Sequence, residues 1–258
     1  MYRMVVSDFY GTLIDSEEAI SLSTMIELDR IRKAGVLFCI TTSKSARVVI
    51  DYNKDFPFID YVIAFNGSYI YDLVNDKVLY DKGLGVSVVK KIYKLFSDKD
   101  LCFYTLEHCN YTGVYKDKDF SEMLIDIPTF IEENRNGIYK ISICLKSLKE
   151  AKDVIKIIKS AEIKVDTYLK EIKDFYIVEV TNSLNSKLDG VEKIIKKRKI
   201  SLTDVLAVCS SASSFDLVKC VGHGCCVSNG SDKIKKVAKE ITLSNEEKGV
   251  EKIIKKYF

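Results

Sequence analysis

The run Met4-Val5-Val6-Ser7-Asp8-Phe9-Tyr10-Gly11-Thr12-Leu13 constrains the fold more than any other stretch of the chain. A short apolar segment rich in β-branched residues and closed by Gly11 predicts a buried strand rather than a helix. Asp8 then stands at its carboxyl end. In an α/β protein ligands bind beyond the carboxyl ends of parallel strands, which makes Asp8 the first candidate for a reactive group. A plain turn built by Asp8 and Gly11 fits this stretch equally well.

Residues 14–40 continue this strand into a βαβ unit. Ser21 or Thr24 caps a helix, with Glu27 completing a box from Thr24, and Gly35 ends it. Residues 36–40 form a second buried strand, parallel to the first. It runs into Thr41-Thr42-Ser43-Lys44, where hydroxyls and an ammonium can hold a phosphoryl oxygen. Residues 61–65 form a third strand, ended by Asn66-Gly67. Residues 68–71 and 77–80 then alternate as a hairpin around Asn75-Asp76.

From about Gly83 the pattern changes. Helices are expected over 86–96 and 148–161, a short one over 120–125, and strands over 101–106, 111–115, 139–145, 164–169 and 175–180. Helices followed by paired strands indicate an α+β insert with an antiparallel sheet. The first pattern then resumes: Lys187 precedes a helix over 188–199, and residues 205–208 form a buried strand leading into Cys209-Ser210-Ser211-Ala212-Ser213-Ser214-Phe215-Asp216.

D-x-x-G-T-L after an N-terminal strand resembles the first motif of the haloacid dehalogenase superfamily, whose phosphatases carry D-x-D-G-T. Here Tyr10 replaces the second aspartate. Ala64-Phe65-Asn66-Gly67-Ser68 is similar to the "NGA" turn of Cof-type members. Thr42 matches the family's Thr or Ser, with Ser43-Lys44 in place of the usual Gly-Arg, and Lys187 matches its lysine before a helix. Where the family has G-D-x-x-x-D, Ser210 and Ser214 occupy the acidic positions and Asp216 falls two places late. Gly222, Val227-Ser228-Asn229-Gly230 and the stretch from Thr242 to Val250, close to T-x-S-N-x-x-x-G-V, support this register, so the resemblance covers essentially the whole chain. It implies an α/β fold: a HAD-like Rossmannoid core with a parallel sheet (residues 1–82 and 183–258) and an inserted α+β cap (83–182) that closes over the substrate. His108, Tyr111 and Arg135 are its candidate specificity residues.

The resemblance also implies chemistry, and the substitutions limit it. Asp8 keeps the atoms of the family's nucleophile, which forms an aspartyl-phosphate. The acid/base position at Tyr10 is degenerate, because a phenol with a pKa of about 10 is a poor base at neutral pH. Magnesium is usually held by one or two carboxylates plus phosphate and water, and Ser210 and Ser214 leave Asp8 as a weak lone ligand. Without the ion, a carboxylate approaching a phosphate dianion meets repulsion of roughly 4 kcal/mol per charge pair at about 4 Å and an effective dielectric near 20. Lys187, with Lys44, offsets part of it. The expectation is a phosphatase-like protein with reduced or lost hydrolysis that needs no cofactor and binds a small phosphorylated metabolite through Thr42, Ser43, Lys44, Asn66, Gly67 and Lys187. The alternatives are a magnesium-dependent phosphatase with an unorthodox site, in which Asp216 or a cap carboxylate supplies a ligand, and a non-catalytic scaffold.

Composition narrows the partners. A net charge of +3 in 258 residues leaves no nucleic-acid footprint. With no signal-peptide h-region and no apolar run of spanning length, a soluble cytoplasmic protein is expected. The eight cysteines form no C-x-x-C pair and read as reduced, buried hydrophobes; Cys209, ending a strand, is discounted as a nucleophile. With His108 and His223 the only histidines, a zinc site has little to draw on.

Overall fold

The computed structural model describes residues 1–55, 57–113, 121–122, 125–172, 175–183 and 185–258. In chain order the elements are β1 (Met4–Asp8), α1 (Leu22–Lys33), β2 (Leu37–Thr41), α2 (Arg47–Asp55), β3 (Tyr61–Ala64), β4 (Tyr69–Asp72) and β5 (Lys77–Asp81). Then come α3 (Val86–Leu95), β6 (Asp100–Tyr104), β7 (His108–Tyr111), β8 (Ser121–Glu122), α4 (Ile127–Glu133), β9 (Lys140–Leu145), α5 (Leu148–Ser160), β10 (Val165–Ile172) and β11 (Phe175–Asn182). The last group is α6 (Lys187–Arg198), β12 (Val205–Cys209), α7 (Phe215–Cys220), β13 (His223–Val227), α8 (Asp232–Lys235), β14 (Glu240–Thr242) and α9 (Gly249–Tyr257). Two compact units result: Met1–Tyr80 with Ser186–Phe258, and Asp81–Asn185.

The first unit is built on an eight-stranded sheet in the order β14-β13-β12-β1-β2-β3-β4-β5, with β1 flanked in parallel by β12 and β2. The pairs run parallel from β14 to β3, and β4 turns back against β3. Strands flanked by helices on both faces are apolar throughout, which is why the runs in β1 and β12 do not alternate. Met4, Val6, Cys39, Ala207, Cys209 and Cys226 face one layer with residues of α6, α7 and α8. The pleat places Asp8 in line with Met4 and Val6 on that face.

Local signals explain the boundaries. Ser21 caps α1 by accepting from the Thr24 N–H, while the Thr24 hydroxyl goes to Glu251 instead of forming a box with Glu27. Gly35 has φ +82° after that helix. Helix α6 opens with a true capping box between Ser186 and Asp189. Helices α2, α4, α7 and α8 go beyond the sequence expectation; α4 is capped by Asp126, whose carboxylate accepts from the Thr129 N–H, with Pro128 in the first turn.

The second unit carries a six-stranded sheet, β10-β11-β9-β6-β7-β8. It is antiparallel except for the β7–β8 pair, which is parallel. The expected helix over 120–125 is corrected at its described positions, since Ser121–Glu122 is strand; residues 120, 123 and 124, and 114–115 of the expected strand, lie outside the described residues. Phe103, Ile141, Ile143, Val178 and Val180 pack on the helices. The opposite parity of β6, β9 and β11 carries Tyr104, Lys140, Ser142, Glu179 and Thr181. Buried Lys140 lies 3.2 Å from Glu179 and 3.9 Å from the Tyr104 ring centroid.

All eight cysteines are free and only Cys220 is exposed. Among the described residues, no helix is long and apolar enough to cross a membrane.

Candidate functional site

Asp8 is held by every element around the end of β1. Oδ1 accepts from Lys187 Nζ at 2.6 Å, Thr41 Oγ1 at 2.6 Å and Ser214 Oγ at 2.9 Å. Oδ2 accepts from the Ser210 and Ser211 backbone N–H groups, both at 3.1 Å, and is also 2.9 Å from Ser214 Oγ. Asp8 and Lys187 are each 2% exposed. Burial alone would push Asp8 up; the Lys187 charge and hydrogen bond, the Thr41 hydroxyl and the Ser211 N–H outweigh it and hold the carboxyl below the ordinary aspartate range.

Each partner has a local reason to be there. Lys187 is the first residue of α6, aimed by the Ser186–Asp189 box, and also donates to Ser214 Oγ. Ser210 and Ser211 leave the end of β12, and Ser214 closes the short 3₁₀ turn Ala212–Ser214 before α7. Gly11, at φ +65°, turns the chain after Asp8; Tyr10 keeps extended backbone there, and Ser210 Oγ lies 3.4 Å from its carbonyl oxygen.

The hydroxyl beside Asp8 belongs to Thr41, not to Thr42. Asp8 and Thr41 are register partners across β1 and β2, so the pleat puts both side chains on one face. Thr42 is one residue further, and its Oγ1 accepts from the Lys44 N–H at 3.0 Å. Both faces of β2 are apolar, so the sequence offers no alternation from which parity could be read. The Ser211 N–H is likewise a contact that only the turn geometry reveals.

The other candidates sit as follows. Ser43 and Lys44 follow β2, with the Lys44 ammonium 4.1 Å from the Tyr10 ring centroid. Asn66 is fully buried at φ 54°; its N–H donates to the Thr42 carbonyl at 3.1 Å, and its amide side chain has no partner among the described residues. Gly67 has φ +109° and passes so near α6 that a Cβ there would lie 2.1 Å from the Ser186 carbonyl oxygen. Asp216 is exposed on α7 and makes none of Asp8's hydrogen bonds. Cys209 is fully buried, and burial with the neighbouring Asp8 charge pushes its thiol well up. In the second unit, His108 and Tyr111 end β7, while exposed Arg135 pairs with Glu132 at 3.2 Å.

The residues around Asp8 do not fit a magnesium ion. Among the described residues, Asp8 supplies the only carboxylate of the groups hydrogen-bonded at the end of β1, the hydroxyls of Ser210 and Ser214 are neutral, and both Asp8 oxygens are already engaged by donors. No grouping of three His, Cys, Asp or Glu donors found among the described residues includes Asp8.

Comparison with known proteins places this geometry. The family described as haloacid dehalogenase-like hydrolase matches residues 5–254. A 5-amino-6-(5-phospho-D-ribitylamino)uracil phosphatase of Bacillus subtilis is 21% identical over 262 residues, covering 99% of this chain and 97% of its own. Among solved structures, a haloacid dehalogenase-like hydrolase from Bacteroides thetaiotaomicron superposes with a TM-score of 0.85 at 19% identity, covering 100% of both chains. A sugar phosphatase of HAD subclass IIB does so with a TM-score of 0.78 at 17% identity, covering 99% of this chain and 98% of its own.

Proposed function

The chain belongs to the haloacid dehalogenase-like hydrolases, and from that premise we propose that it keeps the family's architecture while magnesium-dependent phosphomonoester hydrolysis is lost or strongly reduced. The observation that carries this reading is the saturation of Asp8, whose oxygens together accept from an ammonium, two hydroxyls and two backbone N–H groups. Nucleophilic attack on phosphorus needs a carboxylate lone pair free to reach it, and every donor that depresses the carboxyl's basicity also weakens it as a nucleophile. The catalytic roles of Asp8, Tyr10 and Lys187 are therefore read as vestigial. Asp8 and Lys187 serve instead as a neutral buried clamp between β1 and α6.

A near-neutral centre suits a small phosphorylated metabolite held without turnover, and the inserted unit is read as the family's cap. A second reading, an active phosphatase, is favoured by the names of the relatives. The test assays sugar phosphates and an aryl phosphate with magnesium, for the wild type and a variant carrying Tyr10→Asp, Ser210→Asp and Ser214→Asp. The expected result is no more than trace magnesium-dependent turnover by the wild type, and a magnesium-dependent rise in melting temperature only in the variant. Brisk wild-type turnover that Asp8→Asn abolishes would overturn the proposal. Melting shifts with phosphate esters alone identify a binding protein; no shift identifies a scaffold.

A further inference from the structure

A second cluster of polar side chains lies at the far edge of the same sheet. His223 and Cys225 are two residues apart on β13, so their side chains share a face, and Glu240 on β14 is the register partner of Cys225. An imidazole nitrogen, a thiol sulfur and a carboxylate oxygen thus converge, all within 4.8 Å of one another. The Tyr257 hydroxyl, from the end of α9, joins them at 2.9 Å from His223 Nε2 and 2.7 Å from Glu240 Oε2. Lys256 takes the other carboxylate oxygen at 2.8 Å, leaving Oε2 directed at the cluster.

The distances favour a small tetrahedral ion. Metal–sulfur bonds of about 2.3 Å and metal–nitrogen or metal–oxygen bonds of about 2.0–2.2 Å imply donor separations of roughly 3.3–3.6 Å in a tetrahedron. His223 Nε2 and Glu240 Oε2 are already 3.2 Å apart, and the thiol, within 4.8 Å of an imidazole nitrogen and a carboxylate oxygen, completes the set by closing at most about 1.5 Å. A mixed imidazole, thiolate and carboxylate set selects a borderline cation such as zinc over magnesium or calcium. Its charge also balances, because one thiolate and one carboxylate neutralise a divalent ion. The position is shielded by aromatic rings: Tyr2 lies 6.1 Å from the His223 ring and 5.8 Å from that of Tyr257.

We propose that His223, Cys225 and Glu240, with the Tyr257 hydroxyl or a water as the fourth ligand, bind a structural zinc-type divalent cation that staples β13, β14 and α9. The site is separate from Asp8. His223 pairs with Leu206, which pairs with Val5, placing it two strands across and three residues back from Asp8, or about 10 Å in each direction. Nothing in the linear sequence announces the cluster, because its members come from two strands and their convergence depends on the β13–β14 register.

The test uses the full chain, stripped with a chelator, kept reduced and titrated with cobalt(II). The expected result is a thiolate-to-cobalt charge-transfer band that saturates at one cobalt per chain, is displaced by zinc, and is insensitive to magnesium. Cys225→Ser abolishes the band, whereas Cys220→Ser, at the exposed thiol, retains it. His223→Gln and Glu240→Gln each weaken binding at least about tenfold, in line with loss of one ligand, and remain informative should Cys225→Ser fail to fold. Zinc at about a hundredfold excess over its dissociation constant raises the melting temperature by about 5–10 °C in the wild type. No band at micromolar cobalt, a band that survives Cys225→Ser, or unchanged affinity in both His223→Gln and Glu240→Gln would overturn the proposal and leave a hydrogen-bonded anchor for α9.

Discussion

Replacing Asp8 with asparagine separates a structural clamp from a catalytic nucleophile by the sign and size of its effect on stability. The substitution removes the negative charge facing Lys187, whose ammonium is buried 2.6 Å away. Breaking a buried pair by deleting one partner typically costs about 3–5 kcal/mol, because the surviving charge stays desolvated. The amide adds a second conflict. With its oxygen toward Lys187, Thr41 and Ser214, its NH2 faces the Ser210 and Ser211 N–H groups, which lose their acceptor; each unsatisfied buried donor costs about 1–3 kcal/mol. These losses share one site and do not simply add. A net destabilisation of about 5 kcal/mol is the working figure, and at about 2–4 °C per kcal/mol in a chain of this size the melting temperature falls by about 10–20 °C. A carboxylate reserved for chemistry behaves the other way, since its removal is commonly neutral or stabilising. The assay is calorimetric unfolding near neutral pH, with Asp216→Asn as an exposed-carboxylate control. A shift for Asp8→Asn no larger than the control's would refute the reasoning.

Three further outcomes are expected. Thr41→Val removes a hydroxyl donor to a charged group and costs about 1.5–3 kcal/mol, whereas Thr42→Val costs about 0.5–1.5 kcal/mol; urea midpoints in the reverse order would place the wrong threonine beside Asp8. Gly67→Ala brings a Cβ against the Ser186 carbonyl oxygen at φ +109°, and a loss of at least about 2 kcal/mol follows; an unchanged melting curve would contradict that close approach. Burial alone would raise Glu179, but Lys170 and Lys140 overcome it and bring its carboxyl down to about 2. A depressed acid stabilises the fold above its unfolded pKa and loses that contribution as pH falls through the folded one. Glu179→Gln should therefore melt below the wild type at neutral pH, with the gap closing as pH falls from about 4.5 toward 2; a gap constant across that range would count against the pairing.

Much of this architecture is readable in the sequence because its cues are local. The apolar run before Asp8, the Ser186-Lys187-Leu188-Asp189 helix start and the Asn66-Gly67 turn each carry their geometry in a few consecutive residues. Cues that span strands are not readable. Sequence favours Thr42 over Thr41 because a strand buried on both faces has no alternation, and one residue of offset exchanges the faces. Helix α4 has a usable signal in Asp126-Ile127-Pro128, an N-cap followed by proline in the first turn, which the apolar pattern read as a helix over 120–125 obscures. The resemblance to the family's motif puts Ser210 and Ser214 where that motif has acids. It does not show that those serines, by N–H and by hydroxyl, take over the work of binding the remaining one.

The central strand has consequences for the order in which the polypeptide can acquire its shape during synthesis. One neighbour of β1 is β12, joined through Met4↔Val205, so at about 5–20 residues per second roughly 10–40 s pass on the ribosome between the two. Throughout that interval one side of β1 is an unpaired apolar edge, open to intermolecular pairing. Asp81–Asn185, by contrast, is contiguous and emerges complete before its host can close. Nascent chains stalled with Asp81–Asn185 outside the ribosome exit tunnel and Val205–Cys209 still inside it should therefore protect the inserted unit from proteolysis while leaving β1 dependent on chaperones.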